Sequence, residues 1–485
     1  MTLLATSAWH GKIHTDSWTA GSAGVLDVVE PATGRVLGSV GAADRSDALA
    51  AATRAAAAQR TWAQARPEER AAVLRRAGSL FEDHAKEIQG WIIRETGAVE
   101  GKAELETHIA ANECFDASAL PAHPAGDVLT SNEDRWSFAR RRPVGVVSVI
   151  SPFNFPLILS IRSVAPALAL GNAVLLKPDP RTSISGGVAI MRIFELAGLP
   201  AGLLQLLPGG ADVGQALVEA PEVRVISFTG STAAGRKVGE TAGRLLKRAH
   251  LELGGNNALV VLPGADLDLA ASAGAFGSFM HQGQICMSTG RHLVHESLLE
   301  DYVAKLSAKA RALPVGDPCT SRVAMGPIID ERQRDNIDRL VRAAKDAGAQ
   351  ITAGGTYEGL FYRPTVITGL TPDNPAWTEE IFGPVAPVLG FSSIDEAVEL
   401  VNASEYGLSV GVLGEVGMAM DVADRVASGK VHINEQTVSD EANSPFGGMG
   451  ASGTGSRFGG ASANIDAFTE TQWLTMRSEI APYPF

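Results

Sequence analysis

Residues 144–178 read VGVVSVISPFNFPLILSIRSVAPALALGNAVLLKP, and this stretch decides the architecture. VGVVSVISPF is an apolar run halted by Ser151 and Pro152, the pattern of a strand buried on both faces. ILSIRSVAPALALG then reads as a helix, and NAVLLKP as a second buried strand with Lys177 at its C-terminal end. Two such strands joined by a helix form a parallel crossover unit. Outward from it, the spacing predicts a helix from Ser185 to Ala197, a strand in LLQLLPG, a helix beginning near Asp212, and a strand VRVISFTGS that runs into a glycine loop. Repeated alternation of this kind predicts a doubly wound α/β sheet, whose ligands sit at the C-terminal strand ends. Asn154, Lys177, Gly230 and Glu252 all fall at such ends.

Upstream, Trp9 to Gly41 reads as short strands. Asp44 or Ser46 caps an Ala-rich helix, Pro67 opens a second helix, and a third ends at Gly97. Downstream of residue 286 the alternation repeats, through RHLVH, ESLLEDYVAKLSAKARAL, FYRPTVITG, APVLGF, SIDEAVELVNAS, SVGVLG and KVHIN. A chain of 485 residues exceeds one small core and predicts at least two domains.

The chemistry centres on residues 279–291, FMHQGQICMSTGR. The chain has three cysteines, Cys114, Cys286 and Cys319, too widely spaced for a disulfide framework or a metal-ligand pattern. Cys114 lies among Ala, Glu and Phe on a helix and reads as packing; Cys319, in a turn-rich loop, reads as incidental. Cys286 follows a polar, Gly-bearing segment. Its bland reading is a small buried hydrophobe. Glu252, in LELGG, and Asn154, between two phenylalanines, supply the carboxylate and amide that acyl transfer to a thiol requires as base and oxyanion donor.

FTGST, LELGG, GQICMSTGR, EEIFGPV and PFGGMGASG occur in this order, and together they resemble the NAD(P)-dependent aldehyde dehydrogenase superfamily over nearly the whole chain. The resemblance implies an aldehyde dehydrogenase-like fold with two doubly wound parallel-sheet domains and a small β oligomerisation element. The boundaries expected are 1–126 with 145–254 for cofactor binding, 255–460 for catalysis, and 127–144 with 461–485 for oligomerisation. It implies Cys286 as nucleophile, Glu252 as base and Asn154 as oxyanion donor. It further implies a cofactor site of Ser151, Pro152, Phe153, Lys177, Gly210, Phe228, Gly230, Ser231, Gly235, Leu253, Gly254, Glu380 and Phe382. One departure bears on the cofactor. Many NAD-preferring members carry Glu three residues after the lysine, whereas Pro180 stands there, with Asp179 before it and Arg181 after. NADP is therefore not excluded by charge, and Arg181 is a candidate partner for its 2′-phosphate; NAD is placed slightly ahead.

For the substrate, Phe155, Leu159, Phe279, Met280, Ile285, Met287 and Phe446 are candidate apolar walls, and Asn443 a candidate entrance residue. Arg162 is the candidate cation for a semialdehyde carboxylate. The segments around Arg162 and Asn443 look closest to the benzaldehyde and vanillin dehydrogenase branch, which implies an aromatic aldehyde as the small-molecule partner. A formal net charge of −13 and the lack of a long Lys/Arg run argue against nucleic acid. No apolar stretch approaches the ~20 residues of a membrane span, and no signal peptide is indicated. A reducing cytoplasm suits a thiol nucleophile, and the resemblance implies a homodimer or homotetramer. A CoA-acylating relative would commonly lack the base, and a non-catalytic member would usually lose the cysteine, the base or the glycines; all are present here.

Overall fold

A computed structural model describes residues 2–485. Two seven-stranded sheets form the frame. The first has the order Arg248–Glu252, Val223–Thr229, Val146–Ile150, Ala173–Lys177, Leu204–Leu206, Lys12–His14 and Trp18–Ala20. Its first five strands run parallel, in register Ile150 to Lys177 and Thr229 to Glu252 at their C-terminal ends. The second has the order Gln350–Ala353, Thr365–Thr368, Val385–Phe391, Thr289–His295, Asn257–Val261, Ser409–Leu413 and Lys430–Ile433.

Neither sheet is wholly parallel, and this refines the expectation. Lys12–His14 pairs antiparallel with both Leu204–Leu206 and Trp18–Ala20, and Gln350–Ala353 pairs antiparallel with Thr365–Thr368. The reason is chain length. This holds for Lys12–His14 with Trp18–Ala20 and for Gln350–Ala353 with Thr365–Thr368: residues 15–17 are too few for a crossover, and no helix separates 353 from 365.

The helices begin and end where the side chains dictate. Asp44 accepts from the Asp47 N–H while Asp47 returns the bond, a reciprocal cap for Arg45–Trp62. Pro67 occupies the first turn of Pro67–Asp83, and Gly97, left-handed at φ 70°, closes Ala85–Thr96. The helix expected from Ser185 starts instead as a wide π-type turn, Ile184–Val188, before Ala189–Leu196. Two features set this turn. The buried carboxylate of Glu95 takes the N–H groups of Ile184 and Ser185 at 2.9 and 2.7 Å, and Gly186 and Gly187 lie against Pro156 and Pro178.

Trp136–Pro143 pairs along its whole length with Thr469–Met476, and through its central residues Phe138, Ala139 and Arg140 with Gly126–Val128. Trp136 and Trp473 on this small sheet are exposed. The helix that leads into its last strand, Ala461–Phe468, sends Ala467 and Phe468 into the core of the first sheet. No helix among the described residues is long and apolar enough to cross a membrane.

Candidate active site

Helix Leu267–Phe279 ends in a turn that no unconstrained chain would favour. His281, Gln282 and Gly283 follow one another at φ 47°, 58° and 66°, all left-handed. For the two non-glycine residues this costs on the order of 1 kcal/mol each. Side chains of the loop hold it in place. Gln282 Nε2 donates to the carbonyls of Gly97 and Pro327 at 2.9 Å each, and Gln284 Oε1 accepts from the Ile329 N–H at 3.1 Å. At Gly283 a Cβ would lie 2.1 Å from the Gly383 carbonyl oxygen, so only glycine fits. Asn257, opening a strand of the second sheet, donates from Nδ2 to the Cys286 carbonyl at 2.8 Å. The thiol is thus fixed from behind while its residue remains partly accessible.

Asn154 sits on the loop after Val146–Ile150 and donates from Nδ2 to the Gln284 carbonyl at 2.9 Å. That bond uses one amide hydrogen. Asn154 and Cys286 share the wall of a cavity of ≈ 190 Å³. Glu252 ends the edge strand of the first sheet, and neither carboxylate oxygen has a hydrogen-bond partner among the described residues. Burial pushes its pKa well above the usual carboxylate value, against the pull of Arg162, Arg457 and Lys430. Burial also pushes the Cys286 thiol up to about 12; Lys430 draws it down, and Glu380, Glu252 and Asp440 draw it up. A raised carboxyl pKa favours the protonated form, so Glu252 serves as a base only once it has given up that proton. No cluster of metal ligands occurs among the described residues.

Residues suited to a dinucleotide line the C-terminal ends of the first sheet. Ser231 caps Thr232–Arg244, taking the Ala234 N–H on its hydroxyl; the N–H groups of Thr232 and Ala233, which have no partner within the helix, remain for an anion. Gly230 donates its N–H to the Glu252 carbonyl at 3.0 Å and lies under the Phe228 ring; Gly235 abuts Leu253, and Gly210 caps Ala211–Glu219. Lys177 is buried, its pKa lowered by burial against the pull of Asp179 and Asp212, and its ammonium donates to the Pro178 carbonyl at 3.3 Å. Ser151 accepts from the Ser160 hydroxyl, and Pro152 is half-buried on the same turn. The Phe153 ring meets Phe382 edge-on at 5.9 Å. Glu380 accepts the Gly255 N–H at 2.9 Å, and a Cβ on Gly254 would come within 2.2 Å of its carboxylate. With that single bond, burial holds Glu380 up to about 7. An underemployed buried ammonium, a carboxyl with one donor and an open helix N-terminus fit a pyrophosphate flanked by two riboses.

Four expectations change. Arg181 is not free for a phosphate: its guanidinium binds both Asp179 oxygens, at 2.9 and 2.8 Å, and Asp330 at 2.5 Å. Asn443 is exposed and does not line the cavity, and Phe279 is buried in the core of the second sheet instead. Arg162 does line the cavity, but it is committed, with Nη2 2.5 Å from Asp440 and Nε 3.6 Å from Glu113. These two carboxylates hold its charge more firmly than usual. Phe155, Leu159, Ile285, Met287 and Phe446 line the cavity as expected, with Met280 beside them. Sequence reasoning missed Val438, Ser439 and Asp440, which reach the wall from a loop with no periodicity to mark it, and Ile109 on the helix that carries Glu113.

A thiol pinned beside an amide, a buried carboxyl and residues suited to a dinucleotide fit a cysteine-dependent aldehyde oxidoreductase, and comparison with known proteins agrees. The aldehyde dehydrogenase family profile matches residues 18–474. A vanillin dehydrogenase of Amycolatopsis sp. is 62% identical over 100% of both chains. The benzaldehyde dehydrogenase [NAD(+)] of Pseudomonas putida is 48% identical over 98% of each. The crystal structure of a salicylaldehyde dehydrogenase from Pseudomonas putida, complexed with salicylaldehyde, superposes with a TM-score of 0.94 at 34% identity, covering 98% of this chain and 99% of that one. The chain belongs to the aldehyde dehydrogenase family, and as a member it uses NAD or NADP.

Proposed function

We propose that this enzyme oxidises aromatic aldehydes of the benzaldehyde and vanillin type to their carboxylic acids. The observation that carries the reading is the cavity at Cys286. Phe155, Ile285, Met287, Val438 and Phe446 give it apolar walls, while its arginine is already neutralised by Asp440 and Glu113. An aryl ring gains ~25 cal/mol per Å² buried there, whereas a second carboxylate would meet a guanidinium whose charge is already shared with two carboxylates, with Nη1 alone left without a partner among the described residues. The relatives named for vanillin and benzaldehyde support the same class.

In the reaction, Cys286 loses its proton and its sulfur attacks the aldehyde carbon. The carbonyl oxygen takes the electron pair and is held by the second Asn154 amide hydrogen and the Cys286 N–H; one such donor is worth roughly 3–4 kcal/mol. The nicotinamide, when bound, supplies the hydride acceptor, and loss of hydride from the carbon leaves a thioester on Cys286. Glu252 then takes a proton from water, the hydroxide adds to the thioester, and the Cys286 thiolate departs. The presence of Glu252 favours hydrolysis over transfer to CoA. Ser231 and its helix would hold the pyrophosphate, Lys177 the adenosine ribose and Glu380 the nicotinamide ribose, with Phe382 beside the ring. NAD is placed ahead of NADP, because the Arg181 guanidinium is occupied by two aspartates. The exposed tryptophans of the small sheet suit a homodimer or homotetramer, with boundaries at 1–126 with 145–254, 255–460, and 127–144 with 461–485. A reduced thiol suits the cytoplasm.

Benzaldehyde, vanillin, hexanal and succinic semialdehyde, each assayed with both cofactors, test the reading. The expected result is a kcat/KM for the aromatic pair at least about tenfold above the others. A preference for the semialdehyde would reject the aromatic class.

A further inference from the structure

We infer that Lys430 is a positioning residue for the nucleophile: its buried ammonium, seated behind the cavity wall, biases Cys286 toward the thiolate. This rests on Cys286 being the attacking group, as proposed above. Lys430 opens the strand Lys430–Ile433 at the edge of the second sheet. Its Nζ donates to the Ser439 carbonyl at 3.0 Å, lies 2.6 Å from Met287 Sδ, and stands 4.3 Å over the Phe446 ring. Ser439, Met287 and Phe446 all line the cavity, and Met287 is the residue after the nucleophile.

The nature of these contacts decides the argument. A carbonyl, a thioether and a ring face leave the ammonium charge uncancelled, and no carboxylate lies within ion-pair distance of Nζ among the described residues. Arg162, the other buried cation of the wall, is by contrast held by two carboxylates. An uncancelled charge in a water-poor site acts strongly on its neighbours. The charged groups that act most strongly on Cys286 are Lys430, Glu380, Glu252 and Asp440, and of these Lys430 favours the thiolate; Arg162 shares the cavity wall with its charge taken up by Asp440 and Glu113. Lys430 in turn faces Asp440, Cys286, Arg162 and Glu252, with His432 two residues along its own strand. Asp440 competes with the thiolate for the ammonium, so its removal acts in the opposite sense to removal of Lys430. The thiol proton leaves to solvent or base.

The test follows alkylation by iodoacetamide of the peptide carrying Cys286 across pH 7–11, in the full-length enzyme without aldehyde. The thiolate ultraviolet absorbance, taken as wild type minus Cys286→Ala, reads the same ionisation without a reagent. Lys430→Gln should move both profiles up by about one pH unit or more, which is a roughly tenfold slower alkylation at a fixed pH below the midpoint. Lys430→Arg should restore most of the shift, and Asp440→Asn should move both profiles down. Unmoved profiles in folded Lys430→Gln would overturn the inference. Should that variant not fold, an unmoved or upward profile in Asp440→Asn would overturn it equally. The readout uses no substrate, so a failed substrate panel and a failed titration remain distinct results.

Discussion

Arg162 presents a residue-scale problem that its own position in the chain does not solve. A lone arginine on an apolar helix next to Asn154 reads as a ligand for a substrate carboxylate. Its partners, Glu113 and Asp440, lie far away in sequence, and only folding brings them to it. Burial raises Glu113 to about 7 even with the guanidinium beside it. Arg162→Leu should therefore leave buried Glu113 and half-buried Asp440 without their cation, at a loss of roughly 3–5 kcal/mol in urea unfolding at neutral pH. Stability equal to wild type would mean that the cluster is solvated. Cys286, Glu252 and Asn154 were legible for the opposite reason. The chemistry demands a thiol, a carboxylate and an amide, and each stands at a strand end or on a glycine-bearing loop whose composition marks it.

The element scale turns on Glu95. From the last turn of Ala85–Thr96 its carboxylate takes the first two N–H groups of the π-type turn at Ile184. Burial raises its pKa from 4.5 to about 7, with Glu106 adding to the rise. A group whose folded pKa lies above its unfolded one contributes stability fully below pH 4.5, and that contribution is lost as the pH rises through 7. Glu95→Gln cannot titrate. Between pH 5 and pH 8 the wild type should lose on the order of 2–3 kcal/mol relative to this variant, read from paired denaturant curves. Parallel pH profiles would contradict the assignment. Capped helices such as Arg45–Trp62 were legible because each cap is local. The wide turn was not, because its cause is a carboxylate about 90 residues upstream.

At the scale of the molecule, the two sheets meet at the chemistry. Glu252 comes from the edge of the first, and Cys286 from the loop that enters a strand of the second. The segment after Phe446 ties them together: Ser452 accepts the Leu253 N–H at 2.8 Å, and Gly453 bridges Glu252. Strand–helix alternation made both sheets legible, since buried parallel strands announce themselves as apolar runs. This returning segment was not legible, because its pairing is decided by distant backbone. The account's central claim is that a thiol from one sheet is acylated and a base from the other releases it. Its most direct test is Glu252→Gln mixed with benzaldehyde and NAD, followed by stopped-flow absorbance and then mass spectrometry of the quenched protein. The account predicts a burst of about one reduced cofactor per subunit, slow turnover afterwards, and an aroyl group on the peptide carrying Cys286. Steady turnover at the wild-type rate, or an aroyl group absent from that peptide after the burst, would contradict it.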